Sequence, residues 1–355
     1  MGGGTSAFRI PTSDFPIPTS EFLLPNSISM HLILNSYGAS LQRHQDRFVI
    51  YTQEGKDYIA PNQVKSISIS KGAMVSSDAV LLAIQHEIDL LFVDGLGQPK
   101  GRVWSVQYGS ISTIRKNQIE FIFTQAAVEW VKSILQYKMD TQIALLLALE
   151  TDDDRAARII QRAINALEDH KQKIAKTEGE VISDVAPSLR GWEGAGSRRY
   201  FEAIFTVLPA TYRFDGRSKH PATDPFNALL NYGYGMLYGK IEGALIKAGI
   251  DPYVGIFHRD DYNRPVLVYD VIERFRVWVD YVVIQLCRQE AFPESCFVER
   301  NGGIWLEGLG KRILIQSVND YLAEVVQLGG LERSRAVHIQ QYAHQLAKFF
   351  QKAAL

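Results

Sequence analysis

Two hydrophobic periodicities divide the chain. From Met30 the apolar residues fall in short β-rich runs, at 30–35, 41–42 with 48–52, 56–59, 64–69, 90–93 and 102–107, punctuated by Gly38, Gly55, Gly72, Gly95 and Gly97. One segment within them, 78–87, has helical spacing, opened by Ser76 or Ser77 and carrying Val80, Leu81 and Ile84 on one face. After Tyr108 the period lengthens to that of a helix. Helices are expected over 114–137, 141–149 and 152–176. The last has an acidic first turn at Asp152, Asp153 and Asp154 and an apolar side of Ala156, Ile159, Ile160, Ala163, Ile164 and Leu167. Another is expected over about 268–288, with Val271, Ile272, Phe275, Val279, Val282, Val283 and Leu286 as its stripe. The pattern predicts an α+β chain: a small β-sandwich-like domain over 30–109, then a larger all-α domain over 110–355. The boundary falls near 108–112, where Gly109 and two serines stand.

Residues 1–29 follow neither period. They are rich in Pro, Ser and Thr, and Pro11-Thr12-Ser13-Asp14-Phe15 recurs as Pro18-Thr19-Ser20-Glu21-Phe22, which reads as a flexible leader, linker or cloning remnant. It lacks the basic start and apolar core of a secretory signal. The longest apolar run, 143–149, is far short of a membrane span, so no membrane association is expected.

Composition narrows the partners. Among 355 residues, 38 Lys or Arg face 39 Asp or Glu, a net charge of −1, so any nucleic-acid surface must be local. Cys287 and Cys296 form neither a disulfide framework nor a zinc spacing, which suits a reducing cytoplasm.

Three polar neighbourhoods in the helical half carry the candidate chemistry. The first is Glu193-Gly194-Ala195-Gly196 inside a basic stretch: between Pro187 and His220 stand Arg190, Arg198, Arg199, Arg213, Arg217 and Lys219, against Glu193, Glu202 and Asp215. The glycines would allow a phosphate or another segment close to Glu193, although the spacing is not that of a nucleotide-binding loop. A helix-start carboxylate paired with Arg198 or Arg199 is the plainer alternative. The second is Phe257-His258-Arg259-Asp260-Asp261, where a structural or surface histidine is the plainer reading of His258. The third is Asp270-Val271-Ile272-Glu273-Arg274-Phe275-Arg276. Its two acids, three residues apart, lie on one side of a helix and could share an ion, or could instead cap the helix or pair with Arg274 and Arg276. An imidazole with several carboxylates suits Mn²⁺ or Mg²⁺ better than a thiolate-bound metal.

In order, Glu193-Gly194-Ala195-Gly196 with Tyr200-Phe201, Asp224-Pro225-Phe226-Asn227-Ala228-Leu229-Leu230, Gly255-Ile256-Phe257-His258 and Asp270-Val271-Ile272-Glu273-Arg274-Phe275-Arg276 resemble the CRISPR-associated endonuclease of spacer acquisition, the first and most widespread Cas protein. The resemblance runs from about Met30 to the C-terminus. It implies a prokaryotic cytoplasmic integrase of the CRISPR antiviral defence. Such an enzyme joins the 3′-hydroxyls of a short foreign duplex to the CRISPR repeat by metal-dependent transesterification. It implies Glu193, His258 and Glu273 as ligands of Mn²⁺ or Mg²⁺, Asp270 as an assisting catalytic neighbour, and DNA contacts by Arg190, Arg198, Arg199, Arg217, Lys219, Arg259 and Arg276. It also implies a homodimer formed through the β domain, two such dimers flanking a dimer of a small ferredoxin-like partner. A dense basic run before Asp224 is replaced here by Arg217-Ser218-Lys219-His220, and residues 1–29 have no counterpart. A catalytically silent DNA-binding subunit of the same complex is the alternative.

Overall fold

Strand alternation at the N-terminal end builds two four-stranded sheets around one core. The computed structural model describes residues 30–94, 99–103, 112–219, 221–258 and 264–352. The proline-rich leader, residues 108–111 of the expected boundary, His220 and Arg259 lie outside the described residues. In the first sheet, β1 (Met30–Leu34), β5 (Val64–Ser70) and β7 (Asp89–Val93) run parallel, and β8 (Pro99–Val103) closes the edge antiparallel to β7. The second sheet is the meander β2 (Ser40–His44), β3 (Arg47–Thr52) and β4 (Gly55–Ile59), with the short β6 (Met74–Val75) parallel to β2. Leu32, Leu34, Ile67 and Leu90 of one sheet pack with Leu41 and Phe48 of the other, as the sandwich-like expectation requires.

The helix of this region, α1 (Ser77–Gln85), starts where expected, since the Ser76 hydroxyl accepts the Ala79 N–H at 3.2 Å. Its buried face is corrected. Ala79, Leu82 and Ala83 point inward, whereas Leu81 is exposed, because the small alanines allow the helix to lie close to the sheet.

The second part is built from α2 (Ser112–Phe121), α3 (Gln125–Leu147), α4 (Asp154–Lys176), α5 (Ile182–Val207), α6 (Pro225–Lys247), α7 (Val266–Ile272), α8 (Arg276–Arg288), α9 (Gly308–Ala323) and α10 (Arg335–Lys352). The expected 114–137 helix is two helices. Thr124 donates its hydroxyl to the Phe121 carbonyl and accepts the Ala127 N–H, ending α2 and capping α3. The all-α expectation also needs correction, because two antiparallel hairpins interrupt the helices: β9 (Phe297–Arg300) with β10 (Gly303–Leu306), and β11 (Val325–Leu328) with β12 (Leu331–Ser334). Asn301-Gly302 and Gly329-Gly330 turn them, all four at positive φ, the backbone that two-residue hairpins demand.

Two arrangements position the cleft described below. Gly233 of α6 lies so near α8 that a Cβ would come within 2.6 Å of Val279 Cγ1, which sets the closest approach of these helices. On the other side of α6, Arg102 from β8 donates to the Gly239 carbonyl and pairs with Asp89 at 3.2 Å and Glu242 at 3.5 Å, tying the sheet to the helical part.

Candidate active site

One open cleft of about 1330 Å³ gathers side chains from five elements of the helical part and the loops between them. Glu193 reaches it from α5, Lys138 from α3, His258 from the turn before α7, and Glu273 and Arg276 from the corner between α7 and α8. The expected single helix over 268–288 is broken at that corner. The N–H groups of Arg274 and Phe275 bond to the carbonyls of Val271 and Ile272, three residues back, and the chain changes direction before α8.

Glu193 is not at a helix start, since it and the glycines beside it lie inside α5. Gly196 is buried, and a Cβ there would come within 3.1 Å of Met139 and 3.2 Å of Leu167. The missing side chain serves the packing of α5 on α3 and α4. Gly194 has open space where a Cβ would stand and lines the cleft beside Glu193.

The expected partners of Glu193, Arg198 and Arg199, are replaced by Lys138 and Ser197. The Lys138 ammonium hydrogen-bonds Glu193 Oε1, and the Ser197 hydroxyl donates to the same oxygen at 2.9 Å. The same ammonium lies 2.6 Å from Glu273 Oε2, an ion-pair contact without a directed hydrogen bond. Glu273 Oε1 accepts Arg276 Nε–H at 2.8 Å. Burial would raise the Glu273 carboxyl, but Arg276 and Lys138 outweigh it and hold it well below the usual carboxylate range. For Glu193, Lys138 likewise prevails over burial and lowers the carboxyl. Burial works against the Lys138 ammonium, yet Glu193 and Glu273 raise its pKa.

His258 and Asp270 meet behind the cleft. Asp270 is buried, and its carboxylate accepts the backbone N–H groups of Ile256, Phe257 and His258 at 2.7, 3.1 and 2.9 Å. Its Oδ1 also lies 2.6 Å from His258 Nδ1. Asp270 therefore does not stand beside Glu273 on the cleft wall. It shapes the turn that carries His258 and engages Nδ1, which reserves Nε2 as the free donor atom of that ring.

Among the described residues no three His, Cys, Asp or Glu side chains form a ready metal-binding group. The Lys138 ammonium stands between the carboxylates of Glu193 and Glu273. The donor set still fits a hard-to-intermediate divalent ion: two carboxylates, one of them with a buried oxygen lacking a directed donor, and an imidazole held through its other nitrogen.

The expected DNA-contacting residues separate into two groups. Arg198 and Arg199 are exposed on the cleft wall, Arg199 paired with Glu202 at 2.8 Å, and Lys219 is exposed beside them. Arg217 and Arg276 also line the cleft but are committed to the fold. Arg217 donates to Asn227 at 2.5 Å and Asn231 at 2.7 Å, and both guanidinium groups lie over the Tyr234 ring. Arg190 is directed elsewhere: it donates to the Phe257 carbonyl at 2.5 Å, bracing the His258 turn.

Three features of the cleft went unread in the sequence. Lys138 follows Val131, Ile134 and Leu135 on the buried side of α3, and a lysine in that register is the signal that could have revealed it. Arg155 and Arg162 of α4 add positive charge to the opposite wall. Asp280 of α8 sits at the floor, where Tyr200 donates to it at 2.9 Å and Tyr234 donates as well, and burial raises its pKa to about 6.

With this geometry in view, the likeness to known proteins is specific. The profile of the family CRISPR associated protein Cas1 matches residues 32–320. CRISPR-associated endonuclease Cas1 1 of Archaeoglobus fulgidus is 30% identical over 334 residues, 90% of this chain and 96% of the relative. Two solved structures share the fold at 20% identity. A casposase bound to integration product has a TM-score of 0.76, with 90% of each chain covered. A chain of a Cas6-RT-Cas1–Cas2 complex has a TM-score of 0.75, with 95% of this chain and 37% of that one covered. The chain belongs to the Cas1 family.

Proposed function

We propose that this protein is a DNA integrase and endonuclease of CRISPR adaptation, inserting short foreign duplexes into the repeat array in the prokaryotic cytoplasm. The observation that carries the reading is the convergence of Glu193, His258 and Glu273 on one cleft with exposed arginines on its walls. The attacking group in strand joining is a DNA 3′-hydroxyl, so the protein needs no nucleophile of its own. Glu193, His258 and Glu273 would hold Mn²⁺ or Mg²⁺, which when bound polarises the phosphodiester and stabilises charge developing on its oxygens. Asp270 keeps the His258 imidazole oriented, and Arg198, Arg199 and Lys219 neutralise phosphates as the strands enter.

The assembly belongs to the same reading. The likeness to a chain of a Cas1–Cas2 complex supports a small ferredoxin-like Cas2 partner, with two homodimers of this chain on either side of its dimer. Tyr37, Tyr51, Tyr58, Met74 and Phe92 are exposed on the β-rich part and suit that part as the homodimer surface. One observation favours a second reading, a catalytically silent DNA-binding subunit: Lys138 already bridges two of the three metal-binding candidates. Incubating the protein with its partner, a short duplex with free 3′ ends, a supercoiled repeat plasmid and MnCl₂ separates the two. Strand-joined plasmid supports the integrase. DNA binding without joining, together with no Mn²⁺ binding, supports the silent subunit.

A further inference from the structure

We propose that Lys138 is a built-in competitor for the metal, its ammonium bridging Glu193 and Glu273 until a divalent ion and an incoming phosphate displace it. The inference rests on the metal-site reading above and deepens it.

Charge is the first argument. The two carboxylates of Glu193 and Glu273 are matched by two cations, Lys138 and Arg276, in a region where Lys138 and the Glu273 side chain are buried. The two carboxylates and the two cations in contact with them therefore cancel. Adding a doubly charged ion while both cations stay would leave two uncompensated positive charges in a medium of low dielectric constant, an arrangement that buried groups avoid.

Anchorage is the second. Arg276 is pinned by Glu273 and by the Tyr238 hydroxyl, and its guanidinium lies over the Tyr234 ring, so it is part of the scaffold. Among the described residues, the ion pairs of Lys138 are with the two carboxylates alone. Its four-carbon stem borders the open cleft, where the ammonium can swing out. A DNA phosphate entering the cleft would give it a new anion, so metal and DNA should bind cooperatively although each is positively disposed only toward part of the site.

The test measures metal binding rather than catalysis. MnCl₂ is titrated into the full-length wild type, Lys138→Met and Glu193→Gln, with unbound ion counted by its electron paramagnetic resonance signal. Lys138→Met should bind Mn²⁺ at least about tenfold more tightly than wild type in the absence of DNA, since a like charge within contact distance is removed. Glu193→Gln should weaken binding. If Glu193→Gln leaves Mn²⁺ binding unchanged, the metal-site reading itself fails. If it weakens binding while Lys138→Met binds no more tightly than wild type, the metal site stands and the competitor role is overturned. A measurement on the wild type avoids any folding defect of the variant. Acetylation of Lys138 by an amine-reactive ester, followed by peptide mass spectrometry, should rise several-fold when MnCl₂ is added in the absence of DNA, where no phosphate can shield the released ammonium. Unchanged labelling overturns the proposal.

Discussion

Asp270 holds His258 twice, once through the backbone N–H at 2.9 Å and once through the ring Nδ1 at 2.6 Å. The same carboxylate closes the turn by accepting two further N–H groups, from Ile256 and Phe257. A residue that the sequence places one helical turn from Glu273 thus acts behind the cleft, by fixing the position and tautomer of the imidazole in front of it.

That relationship separates two substitutions. Asp270→Ala strands three backbone donors and should cost on the order of 3 kcal/mol of stability as well as activity. Asp270→Asn keeps one acceptor oxygen but reverses the donor pattern toward Nδ1. It should retain most of the stability while strand joining falls roughly 10–100-fold. Thermal melts and joining rates on both variants check this, and equal losses of stability in the two would remove the distinction.

Glu193→Gln, His258→Ala and Glu273→Gln should each abolish strand joining while DNA binding persists, because the residues proposed to meet phosphate, Arg198, Arg199 and Lys219, are different ones. Stability should divide them further. Glu273 is buried against both Lys138 and Arg276, so neutralising it leaves buried charge unpaired and should cost about 3–5 kcal/mol. His258→Ala should cost far less, since its side chain is 37% exposed. Full joining activity in His258→Ala would remove that residue from the ligand set.

The sequence reveals this architecture where local pattern and tertiary packing agree. Ala156, Ile160, Ala163, Ile164 and Leu167 of α4 are buried as their spacing predicts, and the alternation in β1 and β5 turns Leu32, Leu34, Ile67 and Ile69 inward. It misleads where packing overrides propensity. Gly194 and Gly196 suggest that Glu193 stands at a helix start because glycine disfavours helix interiors, yet both lie inside α5, where Met139 and Leu167 crowd the position a Gly196 Cβ would take. The α7–α8 break has no proline or glycine to announce it, and the apolar stripe continues across it. The Asn301-Gly302 and Gly329-Gly330 hairpins, by contrast, carry an explicit turn signal that the surrounding helical periodicity masked. The resemblance singled out Glu193, His258 and Glu273, and all three line the cleft. The cation shared by Glu193 and Glu273 was not legible, since nothing local to Lys138 tells that two acids from distant segments will meet it.

A pH effect follows from Asp280. Its folded pKa, raised to about 6 by burial, lies above the 3.8 of an unperturbed aspartate, so the native state binds more protons than the unfolded state between those values. Stability contributed by this group is therefore largest below about pH 4 and is lost as pH rises through 6, by on the order of 3 kcal/mol. Glu193 and Glu273, with lowered values, act in the opposite sense at acid pH, so the wild-type curve alone is ambiguous. The difference between wild type and Asp280→Asn isolates it: relative to wild type, the asparagine variant should gain stability between pH 4 and 7. A flat difference across that window would mean that Asp280 keeps an ordinary pKa between its two tyrosines.

The salt dependence of DNA binding distinguishes arginines that meet phosphate from arginines that hold the fold. Arg198 and Arg199 stand exposed on the cleft wall, and the surface pair of Arg199 with Glu202 is worth little, about 0–1 kcal/mol. Replacing both by Ala should leave the melting temperature nearly unchanged and reduce the slope of log K against log salt by up to about two units, since each phosphate neutralised on duplex DNA contributes about 0.9. Arg155 and Arg162 on the facing wall should lower the slope in the same way if the duplex passes between α4 and α5. Arg217 should behave differently, because its removal takes a donor from both Asn227 and Asn231 and one of the two guanidinium groups from the Tyr234 ring, so Arg217→Ala lowers the melting temperature whatever it does to the slope. Measuring both quantities on all three variants maps the DNA path. A slope unchanged in Arg198→Ala/Arg199→Ala but reduced in Arg155→Ala/Arg162→Ala would move that path from the α5 wall to α4.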